Sequence, residues 1–319
     1  LNNCEPKQPD LDRYYAHGKL LISGEYLVLH GARSFALPTR FGQSLEIDRV
    51  PGKRVLHWET NVQDVLWFSM DLKLPGFEVV HTSQQDIASR LVEILVQAHQ
   101  MNPEFLTGSQ GYEARSNIEF DINWGLGSSS SLISNVADWS GVNPFDLNHR
   151  VSKGSGYDIA CARSRAPIVY WLDDQTPKYF ESPFHPPFIH QLYFVYLGKK
   201  QDTNLSIQPF LKKPKPAAEW IDRISEITDQ MRLAATIEEF NEGIREHEKI
   251  LSGILERPRL RDTYFSDFKG EVKSLGAWGG DFILVSGNQP EENLRDYFNK
   301  KDLYTIFPYD ELIISHGIV

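Results

Sequence analysis

The sequence predicts a mixed α+β chain in two domains. Stretches of strand-like alternation and stretches of helical period follow one another along its whole length. Its 319 residues suffice for two domains of ordinary size. A proline-rich segment near the middle, "ESPFHPPF" at 181–188, reads as a boundary, so the expected division is 1–185 and 186–319. Hydrophobic residues make up 41% and charged residues 24%, a globular composition that implies a sizeable core.

The elements are justified in order. Residues 14–50 carry β-branched and aromatic residues punctuated by Gly18, Gly24 and Gly31, as strands joined by tight turns do. "VLHWET" and "VLWFSMDL" read as two more strands flanking a short polar turn. Over 84–101, Ile87, Leu91, Ile94, Leu95 and Ala98 fall on one helical face, with Ser83 placed to cap it. "YEARSNIEFDIN" alternates as a strand and runs into "NWGLGSSSSLISNVADW". There Leu132, Ile133, Val136 and Ala137 have helical spacing until Gly141 and Pro144 stop it. "APIVYWL" and "IHQLYFVYLG" are strand-like. Trp220, Ile224, Ile227 and Met231 line one amphipathic helix, and Ile237, Phe240, Ile244 and Leu251 a second. "LGAWGGDFILVSG" is a glycine-rich turn leading into a buried strand, and "EENLRDYFNKK" is a last amphipathic helix. No internal repeat or low-complexity tract is present.

Bulk properties exclude several classes. A net charge of −10 and a pI near 5.5 argue against an extended nucleic-acid surface. No apolar run is long enough for a transmembrane helix, and the first residues do not read as a signal peptide. The two cysteines, Cys4 and Cys161, are too few for a disulfide scaffold and point to the cytoplasm. Cys161, in "DIACA", reads as a small buried side chain.

The chemistry concentrates at "WGLGSSSS". Gly125 and Gly127 can take positive φ and bring backbone N–H groups to an anion, and the helix that follows offers unpaired donors and its positive dipole end. The serine hydroxyls can bond phosphate oxygens or help hold Mg²⁺. A glycine turn with serine N-caps that needs no ligand is the alternative, although a helix needs only one cap. No Lys follows the last glycine, so this is not the Walker pattern. In "KGSGYDIACA", Asp158 is a carboxylate after two glycines, suited either to capping a turn or to accepting a hydroxyl proton in phosphoryl transfer.

Three blocks together resemble the GHMP kinase superfamily, which includes galactokinase, homoserine kinase, mevalonate kinase and phosphomevalonate kinase. "AHGKLLISGEYLVLHGARSFALPT" is similar to its first motif, with Lys19, Gly24 and Glu25 in matching places. "WGLGSSSS" is similar to its phosphate loop, and "SLGAWGGDFILV" to its third, glycine-rich motif. "GSGYD" resembles the catalytic-aspartate segment of the mevalonate and phosphomevalonate kinases.

The resemblance implies an N-terminal domain like domain 2 of ribosomal protein S5 and a ferredoxin-like C-terminal domain, with ATP bound between them. It implies ATP- and Mg²⁺-dependent transfer of a phosphoryl group to a small-molecule alcohol or phosphate acceptor, mevalonate or phosphomevalonate first. The alternatives are a sugar or homoserine kinase, or a silent ligand-binding protein of the same fold. Asp158 and Lys19 would be catalytic. Gly125, Leu126, Gly127, Ser128, Ser129, Ser130, Gly276, Gly279 and Gly280 would bind the nucleotide, and Ser128 and Ser129 would also serve the metal. Glu25 has two expected roles, holding a turn or touching ligand; Lys200 and Thr203 fall where the family carries a substrate segment. Trp278 departs from the small residue usual in the third motif, and its expected effects are to narrow the site, to stack on a ligand or to mark altered nucleotide geometry. Leu147 stands where mevalonate kinases carry a metal-binding Glu; either Asp146 beside it substitutes, or Ser128 or Ser129 and the nucleotide phosphates hold the metal with water. No nucleic-acid or membrane partner is expected, and a homodimer is one compatible assembly.

Overall fold

The computed structural model describes residues 11–198, 208–276, 278 and 280–314. These form two compact units, neither continuous in sequence. One is drawn from Gly42–Asp121, Ser128–Ser152 and the residues before 17; the other from His17–Phe41, Ile122–Gly127 and the residues from Lys153 onward. The long strands β1 (Asp12–Ser23) and β2 (Ser34–Val50) each contribute to both. The 185/186 division expected from the prolines falls inside the second unit.

In the first unit, β3 (Val55–Val62), β4 (Val65–Lys73), β5 (Glu78–Thr82), β6 (Gly111–Ile118) and the later half of β2 are ordered β5-β4-β3-β6-β2. The β3–β4 hairpin alternates as its sequence requires, burying Leu56, Trp58, Phe68 and Met70 on one face. β3 and β6 are parallel, so the chain must cross over between them, and helix α1 (Gln85–Met101) lies on that crossover. Its buried residues include Leu91, Ile94, Leu95 and Ala98, on the predicted face. The expected Ser83 cap is absent: the Ser83 hydroxyl accepts the Ser69 N–H at 3.0 Å, and Gln84 holds the cap position without a side-chain bond.

Helix α2 (Ser128–Ser140) buries Ile133, Val136 and Ala137. Pro144 does not merely end a helix but opens α3 (Pro144–Val151), where a missing N–H costs nothing. Asn143 caps it, accepting from the N–H groups of Phe145 and Asp146 at 2.9 and 3.2 Å.

In the second unit, the first half of β2 pairs with β7 (Ile168–Asp173), which pairs with β8 (Thr176–Glu181). The short helix α4 (Tyr157–Ala162) packs on β7. Further along come β9 (Leu192–Tyr196), α5 (Ala218–Leu233), α6 (Ile237–Leu255), α7 (Leu260–Tyr264), β10 (Glu271–Ser274), β11 (Phe282–Ser286), α8 (Glu291–Asn299), β12 (Ile306–Pro308) and α9 (Tyr309–Leu312). The sheet order is β10-β11-β9-β12, antiparallel throughout. Val195, Ile283 and Val285 fill its core with Phe298 from α8. Of the residues expected to line α5, Ile224, Ile227 and Met231 are buried, whereas Trp220 is 41% exposed. Among the described residues no helix is long and apolar enough to cross a membrane.

Helix α6 begins with a reciprocal cap. Thr236 accepts the Glu239 N–H at 3.2 Å while Glu239 accepts the Thr236 N–H at 3.3 Å. Thr236→Ala is expected to lower unfolding free energy by about 1 kcal/mol, read from the midpoint of urea denaturation. An unchanged midpoint would mean that packing of α6, rather than its cap, sets its stability.

Candidate active site

The glycine turn is built on aromatic packing. Ile122–Trp124 forms a single 3-10 turn, and the Tyr196 hydroxyl donates to the Asn123 carbonyl at 3.1 Å. The Trp124 ring meets Phe307 edge-on at 5.1 Å and Phe282 at 6.3 Å. Gly125 and Gly127 then take φ of +66° and +91°, where side chains are strained. Leu126, between them, is fully buried, and its carbonyl accepts the Lys19 N–H at 2.8 Å. A side chain at Gly125 has no room either, because a Cβ there would lie 1.8 Å from Asp281 Oδ2.

Helix α2 starts directly after Gly127, with no acidic residue in its first turn to compete with an anion. The four serines divide by burial. Ser129 is exposed and Ser128 half-buried, whereas Ser130 and Ser131 are buried. The Ser131 hydroxyl donates to Gln43 Oε1 at 2.7 Å, so this fourth serine holds the helix to β2 within its own unit.

Lys19 stands at the centre of the second unit's charged groups. Its ammonium makes a long 3.5 Å contact with the Gly125 carbonyl, donates to the Tyr157 hydroxyl and lies 5.7 Å from the Tyr157 ring centroid. Burial acts to lower its pKa, but Tyr157, Asp158 and Asp281 together outweigh burial and raise it, so the ammonium stays charged. Asp158 lies in the first turn of α4, and its Oδ1 accepts the Ile159 N–H at 3.1 Å. Burial raises its pKa, while the Lys19 charge opposes that rise. Gly156, at φ +89°, turns the chain into α4, and the Tyr170 hydroxyl holds the preceding Ser155 carbonyl. The structure therefore brings Lys19, Asp158 and the glycine turn together. Cys161 is buried and free, and burial pushes its thiol pKa up, so it is the inert side chain expected.

Glu25 is turned to interior partners. It is 3% exposed, with Oε1 at 2.7 Å from Lys273 Nζ. Lys273, 0% exposed on β10, also reaches Glu248 Oε1 at 3.5 Å and donates to the Ser274 carbonyl at 3.0 Å. His247 completes a buried quartet. Burial and then Lys273 lower its pKa, so the ring is neutral. Its Nε2 accepts the Gly24 N–H at 3.1 Å, which assigns the ring proton to Nδ1. Glu25 Oε2 lies 3.0 Å from the same Nε2 without a donor in that state, so Lys273 is the main compensation for this carboxylate. Burial acts to raise the Glu25 pKa, but Lys273 prevails and holds it at about 2. Glu248 goes the other way: burial dominates and pushes it up to about 7.

In the third motif, Gly276 has φ +65° and Gly280 is buried. Trp278 corrects an expectation. It is 6% exposed, its indole N–H donates to the Pro258 carbonyl at 3.1 Å, and its backbone N–H donates to the Tyr26 hydroxyl at 2.9 Å. It is an interior anchor, and neither narrows a site nor offers a face to a ligand. Gly279, Lys200 and Thr203 lie outside the described residues. Leu147 is fully buried, and Asp146 is exposed in the first turn of α3.

Sequence reasoning missed Tyr157, His247, Glu248 and Lys273. The available signal was a charged residue at an interior strand position, Lys273 between Val272 and Leu275, and a His-Glu pair on the inward face of α6.

No protein-family model matches the sequence, and no curated protein matches it significantly. Solved structures do match the fold. Mevalonate kinase of Methanococcus jannaschii superposes with a TM-score of 0.66 at 17% identity, over 95% of this chain and 98% of that one. Phosphomevalonate kinase of Streptococcus pneumoniae, in complex with phosphomevalonate and AMPPNP, gives 0.68 at 15%, over 93% and 99%. Galactokinase of Lactococcus lactis, complexed with galactose, gives 0.66 at 14%, over 97% and 94%. The chain has the mixed α+β fold of these GHMP kinases.

Two outcomes follow from the buried quartet. Lys273→Met should cost about 3–5 kcal/mol by stranding two interior carboxyls, measured by urea denaturation. Folded Glu248, with its pKa near 7, keeps a proton that the unfolded chain releases near its ordinary value. Stability should therefore fall as pH rises from about 5 to 7, by about 2–3 kcal/mol. In Glu248→Gln that slope should flatten; an equal slope in the variant would assign it to another group.

Proposed function

We propose that this chain is an ATP- and Mg²⁺-dependent small-molecule kinase of the mevalonate and phosphomevalonate branch. In this reading it acts in the cytoplasm on an isoprenoid precursor. The observation that carries it is the meeting at Lys19 of Asp158 and the Gly125–Gly127 turn. The topology of the second unit supports the domain assignment. In chain order the four strands of its β9–β12 sheet stand 2-3-1-4 with β-α-β-β-α-β connections, counting α5, α6 and α7 as one helical crossover. That is a ferredoxin-like arrangement, and the first unit is proposed as the S5-like part.

The residues fit the cofactors. The turn is glycine where a side chain would be strained, and the adjoining helix start carries no acid. Gly125, Leu126 and Gly127, with Ser128, Ser129 and the Ser130 N–H, would seat the phosphates. Among the described residues no group of three or more His, Cys, Asp or Glu is assembled for a metal. That suits Mg²⁺, which keeps waters and takes one or two protein ligands plus phosphate oxygens; Ser128 and Ser129 are proposed among them. The bound nucleotide supplies the phosphoryl group and the metal neutralises its charge.

The chain's own residues do the rest. Asp158 orients the acceptor hydroxyl and takes its proton. Lys19 opposes the rise that burial imposes on the Asp158 pKa and would stabilise negative charge on the transferring group. Tyr157 holds the ammonium in place through its hydroxyl. Gly276, Gly279 and Gly280 are proposed to approach the ligands through backbone, and Lys200 and Thr203 to contact the acceptor. The buried Trp278 removes one support for a silent binding protein.

A coupled assay for ADP release across mevalonate, phosphomevalonate, homoserine and galactose tests the reading. Turnover with one acceptor is expected, and none with folded protein would overturn it. Asp158→Asn should lower kcat by about 10²–10⁴ with nucleotide affinity nearly unchanged. The Asp158 pKa is raised, so activity on an alcohol should fall off on the acid side at a higher pH than for an ordinary Asp. Lys19→Met removes the opposing charge and should move that limb higher still. A phosphate acceptor loses its own second proton at about pH 6, so its acid limb should stay in place in Lys19→Met.

A further inference from the structure

Tyr26 is held in a backbone conformation that side chains disfavour. Its φ and ψ are +64° and −47°, and the Leu27 N–H closes a three-residue turn on the Glu25 carbonyl at 2.7 Å. A γ-turn of this hand is rare and strained, and for a bulky aromatic residue a positive φ is a marked outlier. Such a conformation persists only where its surroundings over-determine it. Here they do. His247 Nε2 accepts the Gly24 N–H at 3.1 Å, and Lys273 holds the Glu25 carboxylate at 2.7 Å. Tyr26 itself is buried, with its ring centroid 5.2 Å from that of Phe210.

What this turn aims is the Tyr26 hydroxyl, which accepts the Trp278 N–H at 2.9 Å across 252 positions of sequence. The β10–β11 hairpin closes where the Leu275 N–H donates to the Phe282 carbonyl at 3.2 Å, and the third glycine-rich motif lies between those two residues. Trp278 stands in the middle of that loop. Its backbone N–H goes to Tyr26 and its indole N–H to the Pro258 carbonyl at 3.1 Å, so two segments outside the hairpin brace the loop. A backbone N–H on a buried residue needs an acceptor, and here a side chain supplies it. Without the hydroxyl the loop must turn that N–H elsewhere, a movement that glycine at 276 and 280 makes easy.

We infer that Tyr26 is a positioning residue of the candidate site: its hydroxyl sets the place of the third glycine-rich motif, and the strained turn sets the place of the hydroxyl. This rests on the kinase reading, in which that motif approaches the ligands through its backbone, and deepens it by naming what holds the motif ready. Tyr26 touches no ligand in this scheme and acts through Trp278. Nucleotide binding and the order of the turn around Tyr26 are then coupled, and each strengthens the other.

Two measurements on the full chain test it. In the first, hydrogen exchange of wild type is followed with and without AMPPNP in excess Mg²⁺. Binding is expected to slow exchange over 275–282 and also over 24–28. Bound nucleotide that leaves exchange over 24–28 unchanged overturns the inference, and this holds even if no variant folds. In the second, Tyr26→Phe is titrated with AMPPNP and Mg²⁺ by calorimetry, its folding checked by urea denaturation. Its Kd should rise about tenfold or more. A purely structural hydroxyl would lower the unfolding midpoint and leave the Kd of the folded variant at the wild-type value, and that result overturns the inference too. Either adverse result leaves the kinase reading standing, because the nucleotide still binds. Absence of AMPPNP binding to wild type would instead remove the kinase reading itself, and the role of Tyr26 with it.

Discussion

Lys19 joins the parts of the second unit that any chemistry there requires. Its backbone N–H holds the Leu126 carbonyl at 2.8 Å, fixing the glycine turn to β1, and its side chain reaches Gly125, Tyr157 and Asp158. One residue thus fixes where the turn sits and opposes the rise that burial imposes on the neighbouring carboxyl's pKa. Gly18, just before it, must lack a side chain because a Cβ would lie 2.4 Å from Thr39 Oγ1 and 3.0 Å from the Leu126 carbonyl. The strand, the turn and α4 are therefore one construction. A displacement of β1 would disturb both the backbone donors and the ionisation of Asp158.

Behind the first glycine-rich segment lies a different electrostatic arrangement. Glu25, His247, Glu248 and Lys273 are all within 3% of full burial, so their charges cannot be screened by water. Lys273 and Glu25 form the ion pair, His247 stays neutral, and Glu248 is driven toward its protonated form. The cluster costs desolvation energy that well-packed apolar residues would not. In return it joins three elements, the Gly24 turn, α6 and β10, in a register that apolar contacts would define less sharply. Tyr26 and Trp278 continue the link, since the Tyr26 hydroxyl accepts the Trp278 N–H.

Local chemistry was legible in the sequence and long-range chemistry was not. The glycine turn, the helix at Ser128 and the Asp after "GSGY" are encoded by adjacent residues, and each stands where its neighbours require. Lys273 meets Glu25 across 248 positions of sequence, a pairing no short pattern encodes. Trp278 sits in a site-like string, yet packing with Pro258 and Tyr26 decides its place. Trp220 has the spacing of a buried residue but lies on the exposed edge of α5. Ser83 and Pro144 show the limits of boundary signals: a nearby hydroxyl found a strand partner, and a proline that ends one helix begins another. The division into units follows from strands that span both, whereas the proline-rich signal is local.

The contact between Gly125 and Asp281 also bears on how this protein can change. Any residue at 125 with a Cβ must displace the Asp281 side chain, just before β11, and must also accept a positive φ. Shortening Asp281 removes the collision but leaves the backbone penalty, so the two positions are epistatic. A mutational path that alters 281 first has room to explore 125 afterwards, whereas the reverse order must displace the Asp281 side chain and bear the strained φ in one step.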